Sequence, residues 1–571
     1  MRYVYPVIVL TLGLLALAAI NLADRSKAPP AKEFAEMRAP KGTPKLVVLA
    51  VFDQMKAEYL EKWDHLFCEG GFKRLKREGA WFANCHYPYA YTLTGPGHAS
   101  IATGCSPNAH GIIANDWYDR RDGDINCIDP PTGERRGKGP YRRKQESFAD
   151  ALVNHRMRAR VFSLSIKDRA AILLAALRSQ LCVWLEPKRG NFVTSDYYGD
   201  GRLPRWLKAF NKDRLNGADR WFGKNWDRYL SDVTIYEKNA GPDDVPEEGF
   251  GFNQGRTFPH PFVPDEKLGL EGYYEATVCS PAAGDLLLDL ALKAIDAEKI
   301  GQGATTDLLT LGFSQNDYVG HCWGPDSQEV LDVTLKSDAL MKRLLDALDA
   351  KVGKGNYVVA VTADHGVCRI PELAAKQGKK AGRVQPELFT SKAEAFLNEK
   401  FVGKTGRLPW VERTKKANAW VYLNQAVIKE RKLDPATVEQ ALAEWLAKDP
   451  RVLAAYGKTQ LASGKLDELG EKVRLSYHPN GVGDVMVVLK PYHILSGPVT
   501  AKKIDSFRTT HGMPHEYDTH VPFIVMGPGV VPGKHADAIA PQAMAATLSH
   551  LLRVPAPAGA AFSAPKHLFS K

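Results

Sequence analysis

Tyr357-Val358-Val359-Ala360-Val361-Thr362-Ala363 ends on Asp364-His365-Gly366, and this stretch decides the fold. A near-continuous apolar run has no polar face, so it suits a strand buried on both sides of a parallel sheet. Two further runs share the form. Lys45-Leu46-Val47-Val48-Leu49-Ala50-Val51-Phe52 stops at Asp53, and Thr306-Asp307-Leu308-Leu309-Thr310-Leu311-Gly312-Phe313 leads through Ser314 to Asp317. Between the runs at 306 and 357, Val330, Val333, Ser337, Leu340, Met341, Leu344, Leu345 and Leu348 follow the helical period. Asp332, Lys336, Lys342 and Asp346 fall on the opposite side. Another helix is expected over residues 282–299. Strand alternating with helix predicts an α/β fold: a doubly wound, mostly parallel central sheet with helices on both faces. Ligands of such sheets bind beyond the carboxyl ends of the strands, where the polar residues just named stand.

The 571 residues are 44% hydrophobic and 25% charged, which excludes a wholly disordered chain. No repeat of solenoid length is present. Two stretches of the main domain (44–571) break the strand–helix rhythm. Residues 121–279 hold Trp184, Trp206, Trp221 and Trp226 among many Gly, Asp and Arg, and residues 381–490 mix short helices with a Tyr477-His478-Pro479-Asn480-Gly481 turn. Both are expected as insertions forming a cap or subsidiary lobe, where specificity is usually placed.

Residues 1–23 read as a signal peptide: Arg2 precedes an apolar run over 4–20, with cleavage sites at Ala16-x-Ala18 or after Ala23. An uncleaved anchor is the rival reading, because the run is close to spanning length. Residues 24–43, with Pro29-Pro30 and Pro40, read as a linker. The chain is therefore expected to be periplasmic or secreted, meeting a membrane only if the leader is kept. Eight cysteines without a CxxC are compatible with up to four disulfides and not with a zinc knuckle. Net charge is +11, from 76 Lys+Arg against 65 Asp+Glu, and the basic residues are scattered. The densest stretch, Arg135-Arg136-Gly137-Lys138-Gly139-Pro140-Tyr141-Arg142-Arg143-Lys144, reads as a solvated loop with a weaker role in attracting anions. No nucleic-acid partner is expected.

Asp317-x-x-x-His321 puts a carboxylate and an imidazole one helical turn apart, and Asp364-His365 sits at a strand end, as does Asp53. Each alone reads as an ordinary turn, cap or surface pair. Together they make an oxygen and nitrogen donor set that suits zinc and, less well, manganese. In Tyr91-Thr92-Leu93-Thr94-Gly95-Pro96-Gly97-His98, Pro96 suits a first helical position and Thr94 stands at a helix N-terminus. Its hydroxyl is either an N-cap or, beside a metal, a nucleophile.

In this order, Asp53, Thr94, Asp317-x-x-x-His321, Asp364-His365-Gly366 and a late His-Gly resemble the alkaline phosphatase superfamily. More narrowly, His110-Gly111-Ile112-Ile113-Ala114-Asn115-Asp116-Trp117-Tyr118 and Ser165-Ile166-Lys167-Asp168-Arg169 resemble its secreted bacterial, phosphate-irrepressible branch with a threonine nucleophile. That branch is related to nucleotide pyrophosphatases and phosphodiesterases. The match runs from Pro44 to Pro528. The resemblance implies two Zn2+ ions, one held by Asp317, His321 and a late histidine, the other by Asp53, Asp364, His365 and the Thr94 oxygen. The family's His-Gly pattern favours His511 as the late ligand, with His515 as runner-up. His520, His98 and His110 are left structural roles. Asn115, Lys167 and Arg169 would bind the non-bridging phosphoryl oxygens. The implied reaction is hydrolysis of small-molecule phosphate monoesters to alcohol and inorganic phosphate through a covalent phosphothreonine. A type I phosphodiesterase is the first alternative, since those relatives lack the Lys-x-Arg element, and a non-catalytic binding protein on this fold is the second. Sulfatases are disfavoured because no Cys-x-Pro-x-Arg stretch exists.

Overall fold

In the computed structural model β1 (Leu46–Phe52) has every side chain buried, as a run without a polar face requires. The structure describes residues 42–569 apart from 157, 266, 415–417, 480, 482 and 497–506, so the expected leader and nearly all of the linker lie outside the described residues. Eight more strands complete one sheet: β2 (Gly79–Phe82), β3 (Val161–Ser165), β4 (Leu181–Glu186), β5 (Asn191–Val193), β6 (Asp307–Phe313), β7 (Tyr357–Thr362), β8 (Phe523–Met526) and β9 (Gly533–His535). Their spatial order is β9-β2-β8-β7-β1-β6-β3-β4-β5. The central strands β7, β1, β6, β3 and β4 are parallel; β8 and β5 run against their neighbours at either side.

Register places the site. Phe52 pairs with Phe313, Val51 with Thr362 and Gly312 with Ser165, so the carboxyl ends of β1, β6, β7 and β3 finish side by side. Asp53, Asp317, Asp364 and Lys167 follow those four ends and share one edge of the sheet.

Five helices matter to that edge: α1 (Thr94–Thr103), α2 (Asp168–Leu174), α3 (Pro281–Glu298), α4 (Gln315–Trp323) and α5 (Gln328–Leu348). The two long helices begin as their sequence invites. Ser280 accepts from Ala282 N with Pro281 in the first turn, and Ser327 accepts from Val330 N. The expected apolar stripe of α5 is buried in the main core, and truncating Leu344 or Leu345 to alanine would cost about 2–5 kcal/mol.

Residues 121–279 do not stand apart as one insertion. Residues 161–193 supply β3, β4 and β5 to the central sheet, with α2 packed beside them. Residues 381–490 contain a separate antiparallel sheet of Trp420–Val421, Val485–Leu489 and Val452–Gly457, whose apolar residues join a second core cluster. All eight cysteines are free thiols, seven of them buried. The Sγ atoms of Cys279 and Cys322 lie 3.5 Å apart, in contact rather than bonded. Among the described residues no helix is long and apolar enough to cross a membrane.

Candidate active site

Thr94 is the first residue of α1, and Leu93 before it is extended. The Thr94 side chain does not cap the helix; its Oγ1 lies 3.3 Å from His365 Nε2. The capping alternative therefore fails, and Pro96 stands third rather than first, still within the turn whose N–H groups lack helical partners. Gly97 permits the approach: a Cβ there would come within 2.3 Å of Asp364 O, so any side chain would push α1 off the end of β7. Gly95 N donates to Asn115 Oδ1 at 2.7 Å, leaving the Asn115 amide nitrogen as the donor end beside Thr94.

Three imidazoles face three carboxylates. Each ring donates from Nδ1 to a backbone carbonyl: His321 to Thr509 O (2.7 Å), His365 to Gly366 O (2.9 Å) and His511 to Thr92 O (2.8 Å). These bonds leave the Nε2 lone pairs of the neutral rings pointing inward. The Nε2 atoms of His321 and His511 stand 3.2 and 3.6 Å from Asp317 Oδ1. His365 Nε2 stands 3.5 Å from Asp53 Oδ1 and 3.4 Å from Asp364 Oδ2. Lone pairs aimed at anions repel unless a cation lies between them, so the donor set fits divalent metal.

By distance the donors fall into two groups, Asp53, Asp364 and His365, and Asp317, His365 and His511. His365 belongs to both, and its ring stacks on His511 at 3.5 Å between centroids. His321 joins the second group through Asp317. His515 stands outside both groups, bonded through Nε2 to Leu489 O. His520 is bonded to Ala83 O, and His110 to Ser100, the latter held down to a pKa of about 3 by burial first.

The electrostatics match this crowding. Burial, then Asp317 and Asp364, push the Asp53 carboxyl well above its ordinary range. Burial also opposes ionisation of Asp317, but His321 and Lys167 outweigh it and hold that group well below. Burial lowers both His365 and His511, and for His511 the neighbouring His365 and His321 add to it.

Lys167 departs from expectation. Its Nζ stands 2.8 Å from Asp53 Oδ2 and 2.5 Å from Asp317 Oδ2, bridging the two groups' carboxylates. Arg169 is less committed. Its Nε is buried without a hydrogen-bond partner, its Nη1 is 3.9 Å from Asp168, and Lys138 takes the other Asp168 oxygen at 2.6 Å.

Two neighbours escaped the sequence reading. Gln54, at a positive φ of 67°, donates from Nε2 to Asp317 Oδ1 (2.8 Å) and from its backbone N to Asp364 Oδ1 (3.1 Å). His98 was expected to be structural only. Its Nδ1 lies 2.9 Å from Thr94 O and 3.2 Å from Asp364 Oδ2, so it touches both the helix of the hydroxyl and a donor carboxylate. The only signal in sequence was its position one turn after Thr94.

A threonine hydroxyl at the edge of a buried carboxylate–imidazole centre, beyond the ends of parallel strands, defines the class as metal-assisted enzymes on an α/β sheet. The type I phosphodiesterase / nucleotide pyrophosphatase family model matches residues 47–513, and the chain belongs to that family. Alkaline phosphatase PhoV of Synechococcus elongatus is 32% identical over 533 residues, 90% of this chain and 91% of that protein. A Myroides odoratus protein named calcium-transporting ATPase is also 32% identical, over 90% of this chain and 93% of its own. Alkaline phosphatase PafA of Elizabethkingia meningoseptica is 30% identical over 96% of each chain. Its crystal structure superposes with a TM-score of 0.83 and 29% identity, covering 92% of this chain and 99% of that one.

Proposed function

We propose that the protein is an alkaline phosphatase that hydrolyses phosphate monoesters through a phosphothreonine on Thr94. The observation that carries this reading is the Thr94 hydroxyl 3.3 Å from His365, a ring shared by both donor groups. The relatives' names and the matched family support it. Asp53, Asp364 and His365 would hold one Zn2+ next to Thr94, and Asp317, His321 and His511 the other. Bound there, the two ions would supply Lewis-acid charge to the attacking and departing oxygens of an in-line displacement.

The chain's own groups do the rest. Gly97 and His98 hold Thr94 against the end of β7, so its oxygen is in place before the ester arrives. Thr94 Oγ1 attacks phosphorus, the P–O bond to the alcohol breaks, and the alcohol leaves on the opposite side. Water then attacks from that side, releasing phosphate and restoring the hydroxyl. Asn115 and Arg169 donate to the non-bridging oxygens, a contact that a dianionic monoester answers better than a diester. The terminal phosphoryl of a nucleoside triphosphate presents the same dianionic end. Lys167 acts first on the two carboxylates it bridges and only through them on substrate. Export through the residue 1–23 leader is part of the reading.

Metal content measured together with turnover of an aryl phosphate and of the matching aryl diester tests the reading. Chelation should abolish turnover, zinc should restore it, and the monoester should be the better substrate. Full activity in metal-free protein, or a preference for the diester, overturns it.

A further inference from the structure

Beside His321 the protein keeps aromatic surface in the open. Phe507 is 42% exposed and lies flat on the His321 ring, centroids 4.7 Å apart and planes 20° apart. Phe252 meets Phe507 edge-on, at 6.3 Å and 87°. Phe250, two residues earlier, is 41% exposed and carries the Arg256 guanidinium 5.3 Å over its ring. The two segments are tied together: Arg508 donates from Nε to Glu247 O at 2.7 Å, and from its backbone N to His321 O at 2.7 Å. Rings clustered in the open next to a catalytic centre mark a binding surface more than a core.

The position says what would bind. In an in-line displacement the alcohol departs on the side away from Thr94. Thr94 stands with His365, Asp53 and Asp364, so the departing side is that of Asp317, His321 and His511. We propose that Phe507, flanked by Phe252 and Phe250, is a stacking platform for a flat aromatic group on the leaving alcohol, which makes aryl and nucleoside phosphates favoured substrates. This rests on the monoesterase reading above and adds a substrate class to it. Phe507 and His321 offer a flat face whose π-system a planar ring can cover, whereas a short polyol leaves it wet. Stacking of a base on an aromatic side chain changes affinity roughly five- to hundred-fold, enough to set a preference.

Phe507→Leu keeps an apolar cover on His321 and removes the π face; Phe507→Trp enlarges it. The experiment compares kcat/KM for phenyl phosphate, adenosine 5′-monophosphate and glycerol 3-phosphate in wild type and both variants. The leucine variant should lower the aromatic-to-glycerol ratio roughly tenfold, and the tryptophan variant should hold or raise it. Loss confined to phenyl phosphate places the ring next to the bridging oxygen, and loss confined to the nucleotide places it a ribose away; either supports the platform. A ratio that stays within about twofold, or one common factor on all three esters, overturns it, because Phe507 would then only shape His321. Calorimetric binding of adenosine 5′-monophosphate and of inorganic phosphate to zinc-loaded Thr94→Ala protein, with and without Phe507→Leu, separates this from the monoesterase reading. The nucleotide should loosen roughly tenfold more than phosphate. Equal loosening of both, or none, overturns the platform even if no ester is turned over.

Discussion

Replacing Arg169 with alanine should change which esters the protein prefers, and replacing Lys167 should not. The difference comes from where the two charges are spent. Lys167 Nζ is 2.8 Å from Asp53 and 2.5 Å from Asp317, and its side chain is 4% exposed. Arg169 has Nε buried without a partner and only a loose contact with Asp168, so its guanidinium fork is the cation left to answer the extra negative charge of a monoester. One lost charge-assisted contact is worth about 1.5–3 kcal/mol, or roughly ten- to hundred-fold in rate. In Arg169→Ala the monoester-to-diester ratio of kcat/KM, read with 4-nitrophenyl phosphate and a 4-nitrophenyl diester, should fall by that factor. Lys167→Ala strips a buried cation from two buried carboxylates, a loss that typically costs about 3–5 kcal/mol. It should weaken zinc retention and folding stability while lowering both substrates together. The reasoning is refuted if Arg169→Ala scales both esters equally, or if Lys167→Ala alone shifts the ratio.

Thr94→Ala should yield no acid-stable phosphoprotein after brief exposure to labelled substrate, whereas Thr94→Ser should still be labelled; label on another residue would dismiss Thr94 as nucleophile. His98→Ala should weaken zinc binding roughly 10–100-fold in chelator competition, since it removes the hydrogen bond that orients Asp364, and His98→Gln should recover part of it. Unchanged zinc affinity in His98→Ala would return that residue to a purely structural role. Glu248, pushed up to about 10 by burial and then by Glu329 and Asp243, is protonated in the folded protein where the unfolded chain would ionise it. Its stabilisation is complete below the unfolded value of roughly 4.5 and drains away as pH rises towards the folded one. Glu248→Gln should therefore raise Tm relative to wild type by an increment that grows between pH 5 and 9, and an increment independent of pH contradicts this.

The strands that carry Asp53, Asp317 and Asp364 were legible because sheets covered on both faces leave no polar positions along them, so the first polar residue marks the end of burial. The stripe of α5 was legible for the complementary reason, its other side being polar. The place of 161–193 in the sheet was harder to see. Val161-Phe162-Ser163-Leu164-Ser165 carries two serines that suggest a half-exposed strand, yet every residue is buried. Ser163 donates to Ala171 O at 2.6 Å and Ser165 to Gly312 O at 3.1 Å, so backbone carbonyls satisfy hydroxyls that sequence alone assigns to water. The strand order has no local signature at all, because β8 and β9 come from the far end of the chain and still pair with β2.

The site divides along the same line. Residues at strand ends can be chosen from sequence, since the fold class says where ligands bind; which of them touch each other cannot. Lys167 was expected on substrate, but the register of β3 with β6, and of β6 with β1, sets it between Asp53 and Asp317. His98 was passed over because one of its two contacts is local and the other is not. Thr94 O is one turn back on the same helix, but Asp364 is reached only because Gly97 lets α1 close on the end of β7. Phe507 on His321 is harder still, being a contact between a loop residue and a helix with no periodic pattern to link them. A residue whose role depends on one element's own geometry is readable in advance. A residue whose role depends on two elements meeting becomes readable only when the position that lets them meet, here a glycine, is recognised as part of the site.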